Sequence, residues 1–424
     1  MTLPFSEALA RADSPAWWAD TRRLSLESFL HTDFPTSREE AWKYTSLAQL
    51  QRLNLHIPAL NTEHRGAPDY PGQVLAFLND TPLRRGVYQG DYQYDEIVTS
   101  LQRVADSDQV RRHLGTLSGE TALANLNSAL WRDGAHVMVT ADSRLKVPIF
   151  LAYLADEAGS MLYPRSLIVL EAGAEAVLVE HYCGRTDAAY WRNSVCEIVL
   201  EEGASLTHIR VLDEGVAATH TGLTAVRQGR DSLYRVLHLG LGGALTRHEM
   251  TVDMAGEGAE LRIDACNLAG AGRETGVPIR DLQLRVDHRV ADTRSRIHYR
   301  GLIDGRGRGV FDGRVIVHPR ARGTDAHQLC RSLLLSPQAE ADVKPQMEIY
   351  ADDVKCGHGA SVGNIDDDAL FYLRSRGIGS ADARRLLMEA FVGEVLELLD
   401  ETGLRDWIMP SLIAHLPGAK EETA

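Results

Sequence analysis

The chain has 424 residues, of which 44% are hydrophobic, 25% charged and only 6% aromatic, a soluble globular composition long enough for two or three structural units or one extended solenoid. Its formal net charge of -14 argues against general nucleic-acid binding, which needs a cationic surface facing the phosphates. Neither a run of ~20 apolar residues for a membrane-spanning helix nor a basic region followed by an apolar core for secretion is present. Cys183, Cys196, Cys266, Cys330 and Cys356 are odd in number and form no CxxC pair, so a reducing, cytoplasmic setting is expected, without a disulfide framework.

Residues 1–134 read as a mostly helical N-terminal domain. Ser14-Pro15 offers a cap followed by a proline at the first helical position. Trp18, Leu24, Leu26, Phe29 and Leu30 then give an apolar face, until Phe34-Pro35 stops the helix. A second helix is predicted near Ser118 to Arg132, with Leu123, Leu126 and Leu130 on one face and Gly134 as a left-handed terminator.

From 135 to 362 strand signals take over: HVMVT, PIFLAYL, SLIVLEAGAEAVLVEHY, SVCEIVLEEGASLTHIRVL and AELRIDACNLAG. A Gly-Ala step precedes a strand at Gly173-Ala174, Gly203-Ala204, Gly243-Ala244 and Gly258-Ala259. The steps are irregularly spaced. They fit coils of a solenoid turning tight corners, and equally the turns of an antiparallel sandwich or barrel. Pattern alone leaves both architectures open.

Residues 363–424 read as helical again. Asn364 or one of Asp366, Asp367 and Asp368 caps a helix carrying Leu370, Phe371 and Leu373, ended by Gly377. Ser380 caps a longer one with Leu387, Phe391, Val395 and Leu398 on a stripe. The Trp-containing segment LRDWIMPSLIAHL precedes a polar tail, GAKEETA, expected to be disordered.

No GxxxxGK[ST] or HExxH occurs, so P-loop hydrolysis and HExxH-type metal hydrolysis have no support. The Gly-rich pieces LGLGGAL and LAGAGRETG sit in β texture and read as turns. Arginines between Arg280 and Arg331 read as solvated strand edges. The histidines His181, His208, His220, His238, His248, His288, His298, His318 and His327 read individually as hydrogen-bonded or exposed strand residues. Glu201-Glu202 and Asp352-Asp353 are adjacent, so on strands their carboxylates point to opposite faces and do not converge.

One segment carries chemistry. In Asp352-Asp353-Val354-Lys355-Cys356-Gly357-His358-Gly359-Ala360, an extended backbone puts Cys356 and His358 on the same face. Thiolate and imidazole together suit iron, zinc and cluster iron, and the glycines let a partner or an ion approach closely. Two ligands are not a four-coordinate site. The others must come from elsewhere in the chain or from another subunit, and spacing alone also fits a small buried cysteine beside a structural histidine.

The stretch DDVKCGHGASVGNIDDDALFYLRSRGI resembles the signature of the SufD family, and FDGRVIVHPRARGTDAHQLCRSLLLSPQAEADVKPQMEIYADDVKC is similar to the coils before it. Pro35-Thr36-Ser37-Arg38-Glu39-Glu40-Ala41-Trp42-Lys43-Tyr44-Thr45 resembles a motif near that family's N-terminus. The paralogous SufB family carries a His-Glu-Ala step where this chain has His358-Gly359-Ala360, so the resemblance is to the D subunit. It implies a mainly β fold: a right-handed parallel β-helix core flanked by helical N- and C-terminal domains. It further implies a non-catalytic scaffold subunit for iron–sulfur cluster assembly. Such a subunit would pair with a SufB-type paralogue through the end near Cys356 and His358, and would dock a SufC-type ATPase on Phe371 to Leu399.

On that resemblance Cys356 and His358 are candidate ligands for iron entry or a nascent cluster. Iron or a cluster would be transient cargo of the complex, with no cofactor held tightly by the isolated chain. Alone, the chain is expected to be able to form a homodimer. A β-helical polysaccharide lyase or hydrolase, and a purely structural pairing subunit, are the competing functions.

Overall fold

The computed structural model describes residues 15–59, 70–83, 97–185, 187–270 and 276–416. Ser14, residues 271–275 of the second Gly-rich piece, and the tail 418–424 lie outside the described residues.

The β region is a parallel β-solenoid of about 7 turns, flanked by N- and C-terminal helices. Among the described residues the chain alternates between two ten-stranded sheets. The first starts at the hairpin of Gln73–Leu78 with Thr81–Pro82 and ends at Lys355–Gly363. The second starts at Val98–Ser100 and ends at Glu340–Ile349. Among the described residues, only that hairpin and the pair Val98–Ser100 with Ala135–Val139 are antiparallel. Every coil-to-coil pairing is parallel. A sandwich or up-and-down barrel would need antiparallel neighbours, so the solenoid stands.

Its corners repeat more regularly than the Gly-Ala steps suggest. Asp142, Gly173, Gly203, Asp231, Gly258, Asp292, Gly323 and Asp353 all have positive φ, between 51° and 73°. The backbone N–H groups of Asp142, Gly173, Gly203, Asp231, Asp292 and Gly323 donate to the carbonyls of Ala172, Glu202, Arg230, Glu257, Arg322 and Asp353 on the following coil. Glycine takes the left-handed conformation freely, and aspartate tolerates it because its short side chain bonds locally. Gly243 also has positive φ but lies outside this register.

Register then fixes what faces inward. Leu206, Tyr234, Leu261, Ser295, Ala326 and Cys356 are successive neighbours across the first sheet. His208, Val236, Ile263, Ile297, Gln328 and His358 form the adjacent inward column. The lumen is largely apolar, with Phe77 stacked on Tyr153 and Tyr153 on Tyr182 at centroid distances of 5.2 and 4.7 Å. Buried polar groups interrupt it. Glu180 is bonded to Arg210 and, at 3.0 Å, to His208; Glu214 meets Arg192 at 2.5 Å and His220 at 2.7 Å.

The N-terminal helices are α1 (Ala19–Thr32), α2 (Asp108–His113) and α3 (Ala122–Leu130). Ser107 and Thr121 cap α2 and α3. Three details differ from the sequence pattern. Of the apolar face Trp18 and Phe29 are buried but Leu24 and Leu30 are exposed, and Arg22 is buried with them, because it donates to the carbonyls of Ala129 and Trp131 at the end of α3. Gly134 is not left-handed; a Cβ there would lie 1.8 Å from the Arg165 carbonyl oxygen, so close backbone approach requires glycine. The span 1–134 is also not purely helical, since Gln73–Leu78 pairs with Ile149–Ala155 and belongs to the first sheet.

The segment from Pro35 to Thr45 straps across the second sheet. Trp42 stacks on Arg247 (3.9 Å from Cζ to the ring centroid), Thr45 donates to Asp281, and Glu40 meets Lys344 of the last strand at 2.9 Å.

The C-terminal helices are α4 (Asp367–Ser375), α5 (Ser380–Gly393), α6 (Glu397–Thr402) and α7 (Arg405–Ala414). Asp366 caps α4, while Gly379 occupies the cap position of α5 and Ser380 is its first helical residue. Met388, Val392, Leu398, Leu399, Ile408 and Leu412 pack on Ile209, Val211, Leu237, Leu239 and Leu268 of the first sheet. Each such side chain contributes about 1.5–3 kcal/mol by burial. Arg235, Arg262 and Arg300, on successive strands, meet Glu401, Glu397 and Glu394 of the helical region. The arginines between Arg280 and Arg331 are thus not simply solvated. Arg280 is fully buried and donates to the carbonyls of Leu241 and Gly243, and most others pair with carboxylates of neighbouring coils or helices.

Candidate functional site

The site lies at the C-terminal end of the solenoid. Lys355–Gly363 is the last strand of the first sheet and Glu340–Ile349 the last of the second, so among the described residues no further coil lies above the inward side chains of the final one. Their register neighbours one coil below, Ala326, Gln328 and Cys330, are buried. Cys356, His358 and Val362 occupy the same inward parity. The sequence-predicted pair therefore does share a face, and Lys355 points the other way.

Cys356 is half-buried and packs with Val343, Met347 and Val354 against the lumen core. Burial is the main cause that pushes its thiol pKa up; the Asp325 carboxylate adds to it, and a hydrogen bond from the Ala326 backbone opposes it. The thiol is protonated at neutral pH and must lose a proton before it can ligate a metal. His358 is exposed. Among the described residues, no group of three or more His, Cys, Asp or Glu side chains could hold a metal ion. Among the described residues, Cys356 and His358 are two donors on one face without a third beside them.

Sequence reasoning missed the exposed apolar residues on the last strands and just after them. Val362 is 47% exposed, Ile349 is exposed and Tyr350 is 61% exposed. The available signal was the change of texture after residue 362, which leaves the last coil without a cover. A second exposed apolar surface is on α4, where Phe371 is 72% exposed beside Tyr372, with Leu386 of α5 also exposed.

Residues 153–391 match the SUF system FeS cluster assembly SufBD core domain, and residues 5–151 match the SufBD protein N-terminal region. An iron-sulfur cluster assembly SufBD family protein of Synechocystis sp. is 32% identical over 390 residues, covering 88% of this chain and 85% of the relative. The chain belongs to the SufBD family. The iron-sulfur cluster assembly protein SufD of Escherichia coli is 30% identical over 400 residues (93% of this chain, 92% of the relative). SufD of Bacillus subtilis is 26% identical over 422 residues (95% and 94%). These relatives bear out the SufD resemblance read from the two motifs and place the chain in iron–sulfur cluster assembly. The SufBD core match contains Cys356, His358, α4 and most of α5, and the two SufBD matches meet within Ile149–Ala155. Among the described residues no helix is long and apolar enough to cross a membrane.

Proposed function

We propose that this SufBD protein is the D-type, non-catalytic scaffold subunit of a cytoplasmic cluster-assembly complex. It pairs through the open end of its solenoid with a SufB-type paralogue and docks a SufC-type ATPase on α4 and α5. Iron or a nascent cluster is its cargo, held transiently between the subunits. The observation that carries this reading is the half-built site. A thiol and an imidazole share the inward face of the last strand of the first sheet, and Val362 of that strand, Ile349 of the last strand of the second sheet and Tyr350 after it are exposed. A four-coordinate iron needs further ligands, and a chain covering this end is positioned to supply them. In the absence of the paralogue, the same end suits a homodimer.

The C-terminal helices are linked to the coils just beneath the site. Glu394, at the end of α5, contacts Arg300 and also Arg331, whose register neighbour on the last strand is Ser361. ATPase-driven motion of α4 and α5 would reach the open end through this link. The competing lyase or hydrolase reading draws no support from Asp264, Asp287 and Asp342, each of which is paired with an arginine.

Co-expression with SufB- and SufC-type partners tests the pairing. Val362→Lys should abolish retention of the paralogue while retaining the ATPase, with the melting temperature of the isolated chain unchanged. Undiminished paralogue retention by this variant would contradict the open-end assignment.

A further inference from the structure

Directly beneath His358 in the same inward column lies Gln328. Its side chain is buried and crosses the lumen, donating from Nε2 to the carbonyl oxygen of Gln346 on the last strand of the opposite sheet, at 3.1 Å. That bond fixes the orientation of the amide, since turning it over would set two oxygens against each other. Oε1 is therefore the free end, and it is buried without a hydrogen-bond partner. Gly313 makes room for it. A Cβ at that position would come within 2.6 Å of Oε1, so a larger residue would push the carboxamide out of the crossing.

A buried carbonyl with no donor is costly, because it has lost its water without replacement. In-register neighbours on adjacent parallel strands sit about 4.8 Å apart, and their side chains on one face are in reach of each other. The register neighbour of Gln328 on the last strand is His358, an exposed and hence rotatable imidazole that carries an N–H. Below Gln328 the column offers Ile297, which has no donor.

We propose that Gln328 is a positioning residue for His358: its Oε1 accepts one imidazole N–H, which fixes the tautomer and leaves the other ring nitrogen's lone pair directed out of the open end. This rests on the reading of His358 as a ligand only for its purpose; the hydrogen bond itself belongs to this chain. Metal-binding histidines generally need such an acceptor on the second nitrogen, and its loss weakens metal binding by about 10–100-fold. Gln328 acts through His358, and Gln346 anchors it in turn.

The test is the tautomer of His358 in the isolated full-length chain without iron, read from long-range 1H–15N spectra of histidine-labelled protein. His358→Ala assigns the signal. The wild-type chain should show one dominant tautomer. Gln328→Met should shift it to the mixture of a freely solvated imidazole. Gln328→Asn, too short to reach, serves in place of Met should that variant not fold. A mixture already present in the wild type, or an unchanged single tautomer in the Met or Asn variant, would overturn the proposal. Cluster yield in a His358→Ala complex decides the ligand reading separately, so the two failures are distinguishable.

Discussion

Acidification from pH 7.5 to 5 should destabilise this fold through its buried histidines, with Asp80, whose carboxyl burial pushes up to about 7, taking up a proton in the folded chain and offsetting part of the loss. Burial holds His238 down to about 3, and His136 and His288 to about 4, against an ordinary value of 6.5. Between pH 6.5 and about 4 the unfolded chain takes up protons that the folded chain refuses. Stability therefore rises with pH in that window and is lost as pH falls through it. At pH 5 each of these imidazoles costs about 2 kcal/mol, from 1.36 kcal/mol per pH unit below 6.5. Three together approach ~6 kcal/mol, comparable to the whole stability of an ordinary domain. His208, His220 and His248 are lowered by burial as well and act in the same direction. The buried carboxylate of Glu214, held near 2 chiefly by Arg192 against the opposing effect of burial, acts only below about 4.5. Urea unfolding at a series of pH values reads the effect, and the midpoint should drop steeply between pH 6.5 and 5. His238→Asn should reduce the slope by about one proton. A midpoint that is flat across that window would refute the reasoning.

Other consequences are local. Glu197 and Arg165 form a fully buried pair at 2.7 Å, and Glu197 also accepts the backbone N–H groups of Gly115, Leu117 and Ser118. Glu197→Ala strands the guanidinium and should cost about 3–5 kcal/mol by chemical denaturation; a loss below ~1 kcal/mol would show the pair to be dispensable. Gly134→Ala should prevent folding, because the added methyl meets backbone, whereas Gly363→Ala, with nothing within 4 Å, should be tolerated; soluble yields compare the two directly. Phe371→Ala should change stability by no more than about 0.5 kcal/mol but should lose ATPase retention in a pull-down.

Much of this was legible in the sequence. The strand texture, the terminal helices and the shared face of Cys356 and His358 all follow from local periodicity. Parallel pairing did not, because the neighbour of Leu206 is Tyr234, a whole coil further along, and short-range patterns carry no record of it. The corner repeat was hidden by chemistry. Aspartate stands in for glycine at Asp142, Asp231, Asp292 and Asp353, so a search for Gly-Ala alone finds an irregular series. Polar residues misled in both directions. Glu180, Arg210 and His248 look like surface residues and are buried in the lumen, whereas Leu24 and Leu30 look like core and are exposed. The open end was invisible for a related reason: Val362 and Ile349 sit at inward positions that any earlier coil would have buried.

The most direct test of the scaffold account is cluster content in the assembled complex. The chain, co-expressed with its SufB- and SufC-type partners and purified anaerobically, should retain both, and His358→Ala should leave the assembly intact while iron and acid-labile sulfide fall. Wild-type iron and sulfide in the His358→Ala complex would contradict a ligand role at the open end.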